Sequence, residues 1–158
     1  NVTGVQTCAL PIFKPHIAVW WTGGAQTTQL LQSGEVDMIS GWNARFQAAI
    51  DGGTSAKIVW NQGLYSIEGW SIPKGCPKVD VARAFIKFCS SAEQQAIFTE
   101  ALAYGPTNLD AYKTIPAKRA ADLPTSPDNL KQMAIADENW WSANRAAVTE
   151  RFNSWILS

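Results

Sequence analysis

Apolar positions along this chain change their spacing near Pro73. Before it they fall in short runs, over residues 17–21, 36–42, 57–60 and 65–72, separated by Gly, Asp or Asn. Runs of that length, rich in Val, Ile and Trp, read as strands. Between them, residues 25–32 and 43–50 read as short helices, with Gly34 as the residue that closes the first. The alternation is βαβαβ-like and predicts an α/β sheet covered by helices. After Pro73 the spacing becomes helical. Ala82, Phe85, Ile86 and Cys89 recur at i, i+3, i+4 and i+7, predicting a helix over 81–89 capped by Asp80. Ser91 followed by Gln94 has the form of a capping box, and Ile97, Phe98, Ala101 and Leu102 are the expected inner stripe of its helix. Gly105-Pro106 breaks the chain, and a short helix is possible over 110–113 within a polar section that ends at Pro127. Trp141, Val148, Phe152 and Trp155 then predict a long last helix over 137–157. The change of character places a boundary between two halves at about Ile67.

Composition narrows the function classes. The chain has 158 residues, 46% of them apolar, enough to build a core, and as a prior this length suggests one domain. Thirteen basic and thirteen acidic residues cancel, so there is no electrostatic footprint for nucleic acid or an anionic membrane. No apolar run approaches the roughly 20 residues of a membrane span. The unusual count is eight tryptophans, more than a core of this size requires. The adjacent pairs Trp20-Trp21 and Trp140-Trp141 cannot both point inward from one element, so one member of each is expected to face a cleft or a partner.

Residues 2–12 resemble the in-frame translation of a common short-read sequencing adapter, so residues 1–12 are read as an artefact outside the fold. On that reading the chain is truncated upstream of about Phe13 and leaves large apolar faces uncovered. Cys8 falls in the same stretch. Cys76 and Cys89 bracket a predicted helix and stand about 15 Å apart by its rise, too far for a disulfide. Cys89 reads as a small buried hydrophobe, and His16, the single histidine, supplies neither a triad nor a zinc site. No cofactor is expected.

Three stretches carry the candidate chemistry: Gly41-Trp42-Asn43, Glu68-Gly69-Trp70-Ser71-Ile72-Pro73, and Tyr104-Gly105-Pro106-Thr107-Asn108. Each pairs an aromatic ring with a polar or acidic group and a turn residue. Rings offer a rigid apolar wall with a negative face, and a carboxylate beside them favours a cation. Trp42 ends a predicted strand, where ligands of open α/β sheets lie; the alternative is a core tryptophan at the sheet edge. Asn43 can cap the helix that follows. Glu68 sits among Ile67, Trp70 and Ile72, where an unpaired carboxylate is costly to bury. It must therefore meet solvent, a ligand cation or an internal partner such as Arg45 or a lysine. Tyr65 lies on the opposite face of a regular strand from Glu68 and joins its pocket only through a bulge or bend. Tyr104 is either aimed into a cleft by the Gly-Pro turn or packed at a helix end. Trp141 follows the stripe of the last helix, leaving Trp140 outward or in the cleft, and the sequence does not choose between them. Gly23-Gly24 ahead of a helix can turn N–H groups on an anion, though two glycines alone are a weak signal. Ser71 and Thr107 have no histidine in reach and Glu68 no acidic neighbour in sequence, so catalysis is not expected.

The order of Gly34-Glu35-Val36, Gly41-Trp42-Asn43, an acidic residue ahead of Ile72-Pro73, and Tyr104-Gly105-Pro106-Thr107-Asn108 resembles the C-terminal half of periplasmic polyamine-type (spermidine- or putrescine-like) solute-binding proteins of ABC importers. The resemblance implies the C-terminal portion of a two-lobed type II periplasmic-binding-protein clamshell, α/β in class. Residues 13–67 would be part of lobe 2 and residues 68–158 the C-terminal part of lobe 1. It implies that Trp42 stacks on the ligand's alkyl chain and that Glu68 takes the place of an aspartate paired with an ammonium. Tyr104 would be a cleft tyrosine, and the Trp140–Trp141 region would supply a late contact. Three departures loosen the ligand assignment. Glu replaces Asp at position 68, Ser66 stands where a second ring-stacking tryptophan is placed, and Trp141 where a polar residue is. A related amine, an amino-acid derivative or another small organic solute fits as well. The expected function is capture of an amine-containing solute for an ABC permease. The expected form is a periplasmic monomer that meets the membrane only through that permease and binds no nucleic acid. The contrasting expectation is a Trp-rich carbohydrate-binding or catalytic module truncated at its N-terminus.

Overall fold

The computed structural model describes residues 12–158, so the adapter-like stretch apart from Ile12, and Cys8 with it, lies outside the described residues. Helix α1 (Gly24–Ser33) ends on Gly34 at φ 70°, as its position in the sequence predicts. It packs against α2 (Asn43–Asp51), and the buried residues there are Thr27, Leu30, Ala44, Phe46, Gln47 and Ala49. Burying a Leu or Phe stabilises by about 1.5–3 kcal/mol, so this small layer is what fixes the start of α2.

A second core lies later in the chain. Helices α3 (Val79–Cys89) and α4 (Ala92–Ala101) are followed by a 3₁₀ turn (Leu109–Lys113), α5 (Ala117–Ala121) and α6 (Pro127–Leu130). Ala96, Ala103, Ala111, Ile115 and Leu123 form the cluster between them. Three of its five members are alanines, so backbones approach closely and polar backbone groups need partners inside. Buried Asn129 supplies them, its Nδ2 donating to the carbonyls of Ala121 and Leu123 at 2.8 Å each. The last helix, α7 (Glu138–Leu157), is capped by the Asp137 carboxylate, which accepts from Trp140 N at 2.9 Å.

The sheet is smaller than the sequence predicts. Among the described residues it comprises β1 (Leu64–Tyr65) and β2 (Ala134–Ile135), parallel, with Leu64 opposite Ala134 and Tyr65 opposite Ile135. Residues 17–21, 36–42 and 57–60 join no ladder, and 65–72 does so only at its first position. The physical reason is that a strand needs a neighbour to take its N–H and C=O groups. The period-2 burial is present all the same: Ile17, Val19 and Trp21 are half-buried and Ala18 and Trp20 exposed, and Thr54 to Trp60 alternate likewise.

Three helix details also differ. The helix predicted from Val81 starts at Val79, with Asp80 inside its first turn and no side-chain cap. The stripe Ile97, Phe98 and Leu102 is exposed, and α4 buries Ala96 and Thr99 instead, because its partner is the alanine-lined turn rather than α3. Phe85 is exposed and in edge contact with Trp70 at 5.5 Å, while Ala82 and Ile86 are half-buried on the expected face and Cys89 is half-buried rather than fully buried. Cys76 and Cys89 are both free thiols.

Candidate ligand-binding site

The adjacent tryptophans at 20 and 21 part company. Trp20 packs into a cluster at the end of α7, with Phe152 at 5.6 Å and Trp155 at 5.4 Å between ring centroids. Trp21 meets Trp42 edge to face at 5.7 Å. Trp42 is the N-cap residue of α2 and remains 56% exposed, so it is not the core residue that the alternative reading required. Gly41 is dictated by the same packing: a Cβ there would come within 2.8 Å of the Phe46 ring. The glycine lets the chain turn over Phe46 and deliver Trp42 to the surface.

Asn43 does not cap its helix. It occupies the first helical position, and its Nδ2 donates 2.6 Å to the carbonyl of Ala103. That bond brings the segment ahead of Tyr104 alongside Trp42. The Tyr104–Asn108 turn is held from several sides. Buried Thr99 donates 3.0 Å to the Tyr104 carbonyl, and Gln95 Oε1 accepts from Asn108 N at 2.8 Å. Asn108 Nδ2 donates 3.2 Å to the Ser90 carbonyl. A Cβ on Gly105 would lie within the Thr125 side chain, whose hydroxyl is in turn 2.6 Å from the Tyr112 hydroxyl. Burial raises the Tyr112 pKa, and the bond to Thr125 partly offsets this. Tyr104 itself is half-buried.

Arg45, in the first turn of α2, was legible only as a possible partner for Glu68. The two make no ion pair. Arg45 is exposed, and its Nε lies 3.5 Å from where a Cβ on Gly24 would stand, beside the N-terminus of α1. That terminus has no side-chain cap. A guanidinium next to free helix N–H groups favours an anion. Glu68 is exposed in the loop after β1. By contrast Asp51, at the end of α2, is paired: Arg119 Nη2 lies 2.7 Å from its Oδ2. Hydrogen bonds from Arg119 and then Gln47 hold its carboxyl below the usual range.

A hollow of about 260 Å³ opens beyond the carboxyl ends of β1 and β2, lined by Ser66, Ala136, Glu138, Trp141 and Arg145. Trp141 lines the hollow, and Trp140 stands edge-on to it at 5.2 Å and 41% exposed. Tyr65 is half-buried in β1 and its successor Ser66 faces the hollow, as strand alternation requires. Arg145 was missed in the sequence, although 138, 141 and 145 fall on one helical face. The candidate residues thus form two sets, Trp42 and Tyr104 with Trp21 and Arg45, and Trp141 with Ser66 and Arg145, while Glu68 stands exposed in the loop that follows Ser66.

The structure is mostly helical with a small parallel sheet, and aromatic and charged groups lie beyond the carboxyl ends of its strands, as in α/β proteins that hold ligands there. The chain belongs to the bacterial extracellular solute-binding protein family, whose model matches residues 11–125. It is 37% identical over 142 residues to the gamma-aminobutyric acid-binding protein of Pseudomonas aeruginosa, covering 90% of this chain and 40% of that one. An ABC transporter substrate-binding protein from Bradyrhizobium japonicum superposes with a TM-score of 0.81 at 37% identity, covering 92% of this chain and 46% of that one. A binding protein of A. tumefaciens R10 in complex with agropinic acid gives 0.79 at 33% identity, covering 94% and 47%. The chain therefore has part of the periplasmic-binding-protein fold and spans less than half the length of these relatives.

Proposed function

We propose that this chain is part of the solute-binding component of an ABC importer, acting in the periplasm as a monomer and delivering its solute to the permease. The solute is a small organic molecule that carries an amine and a carboxylate, nearer to the ligands named for its relatives than to a polyamine. The observation that carries this reading is two opposite charges, on separate elements, each left without an internal ion-pair partner. Arg45 stands at the uncapped start of α1, and Glu68 stands in the loop after β1; neither forms an ion pair among the described residues. In this reading Arg45 takes the carboxylate, Trp42 and Tyr104 line the alkyl chain, and Glu68, on a separate element, meets the ammonium when the lobes close. Trp141, with Trp140 behind it and Tyr65 in the adjoining strand, forms the wall of the neighbouring hollow. The lobes divide at about Ile67, and closure around the solute stabilises the form the permease accepts.

The test is calorimetric titration of the full-length protein with 4-aminobutyrate and, in parallel, with putrescine. The expected result is saturable binding of 4-aminobutyrate and much weaker binding of putrescine, because the diamine leaves Arg45 facing a like charge. Preference for putrescine would return the ligand to the polyamine class.

A further inference from the structure

Asn and Asp at the start of a helix ordinarily hydrogen-bond to nearby backbone N–H groups. Asn43 does not: Trp42 holds the cap position without a side-chain bond, and the Asn43 amide reaches the Ala103 carbonyl, 60 positions away in sequence, at 2.6 Å. The bond is partly buried, and both adjoining alanines, Ala44 and Ala103, are buried at 4% exposure. Small side chains on both sides allow the two backbones to come within reach of one short amide. The residues flanking the bond are the two aromatic candidates, Trp42 before the donor and Tyr104 after the acceptor.

We propose that Asn43 is a positioning residue that fixes the spacing between Trp42 and Tyr104, and so sets solute affinity without touching solute. The inference rests on the reading that these two rings contact the solute. Each ring is independently anchored to its own element: Trp42 follows a glycine seated on Phe46, and Tyr104 precedes a glycine seated on Thr125. The tie between the two elements at the level of the rings is the Asn43 amide. With it in place the rings are held at one separation before solute arrives, so binding spends little on ordering them. Without it each element keeps its own packing but the gap between them is free to vary.

The experiment compares wild type with Asn43→Ala and the isosteric Asn43→Asp, which loses the donor at unchanged size. Hydrogen–deuterium exchange is followed in the solute-free full-length protein, and 4-aminobutyrate affinity and dissociation rate are measured alongside. Exchange over residues 103–108 should quicken about tenfold in both variants, the size of one net hydrogen bond. Exchange around Ala96 and Thr99, and the melting temperature, should stay near wild type. Affinity should fall about tenfold, chiefly through faster dissociation. Unchanged exchange over 103–108 in both variants overturns the proposal. Faster exchange with unchanged affinity also overturns it, because the bond then holds a loop and nothing more. If wild type takes up no 4-aminobutyrate, the solute reading fails separately and the exchange data still decide whether Asn43 sets the spacing.

Discussion

Trp20 and Trp21 are neighbours with the same side chain, and the protein uses them in opposite ways. Trp20 is one of three rings at the end of α7, with Phe152 and Trp155 themselves 5.8 Å apart. Lys14 closes that cluster, donating 2.6 Å to the Trp155 carbonyl with its ammonium 5.5 Å from the Trp155 ring centroid. Every group there has an internal partner. Trp21 meets the half-exposed Trp42, and the charge beside that pair, Arg45, has no internal counter-ion among the described residues. Rings that satisfy one another hold a fold together. Rings beside an unanswered charge are the ones the proposed solute site draws on.

The comparison can be broken at either end. The largest effect is expected from Trp20→Ala. Losing its contacts with two rings should cost about 2 kcal/mol, or roughly 4–8 °C in melting temperature for a chain of this size. Binding of 4-aminobutyrate by the folded protein should be unchanged. A parallel loss of affinity would show that the two clusters are one unit. Trp42→Ala and Glu68→Gln should do the reverse, weakening 4-aminobutyrate binding at least tenfold, about 1.4 kcal/mol, with little change in thermal stability. A smaller effect, about 1 kcal/mol, should follow Lys14→Met, seen by denaturant unfolding and absent from the binding isotherm.

The smallest effect sharpens the same contrast through charge. Asp51 has a folded-state pKa below its ordinary value of 3.8, held there by Arg119 and Gln47. Its pairing therefore contributes stability that is fully present above that value and is lost as pH falls through the lowered one. Asp51→Asn should flatten the acid limb of the stability profile, and Arg119→Ala should do the same. An acid limb that keeps its shape in both variants would contradict the Asp51–Arg119 pairing.

Local turn and cap chemistry made much of this legible in the sequence. Gly34, the Ser91 cap that accepts from Gln94 N, the Gly105-Pro106 break and the long helix after Asp137 all depend on neighbours within a few residues. The splitting of Trp20 from Trp21 was legible for the same reason, since adjacent residues on one element point apart. What the sequence could not show were the long-range partners. Residues 17–21 and 54–60 keep the alternating burial of strands, yet a ladder depends on chain elsewhere. The α4 stripe misled because Ile97 and Phe98 are apolar at helical spacing, while the neighbour α4 met was a turn lined with alanines. Asn43 looked like a cap because its type and position fit one, and nothing local reveals that its amide is spent on Ala103.

The most direct test of the account is one calorimetric titration series, 4-aminobutyrate into the full-length protein, its Trp42→Ala variant and its Glu68→Gln variant. Saturable binding of one solute per protein, weakened at least tenfold in both variants while both still melt cooperatively near the wild-type temperature, is the predicted result. Wild-type binding that survives both substitutions unchanged would contradict it, and would move the site away from the exposed rings and the unpaired carboxylate.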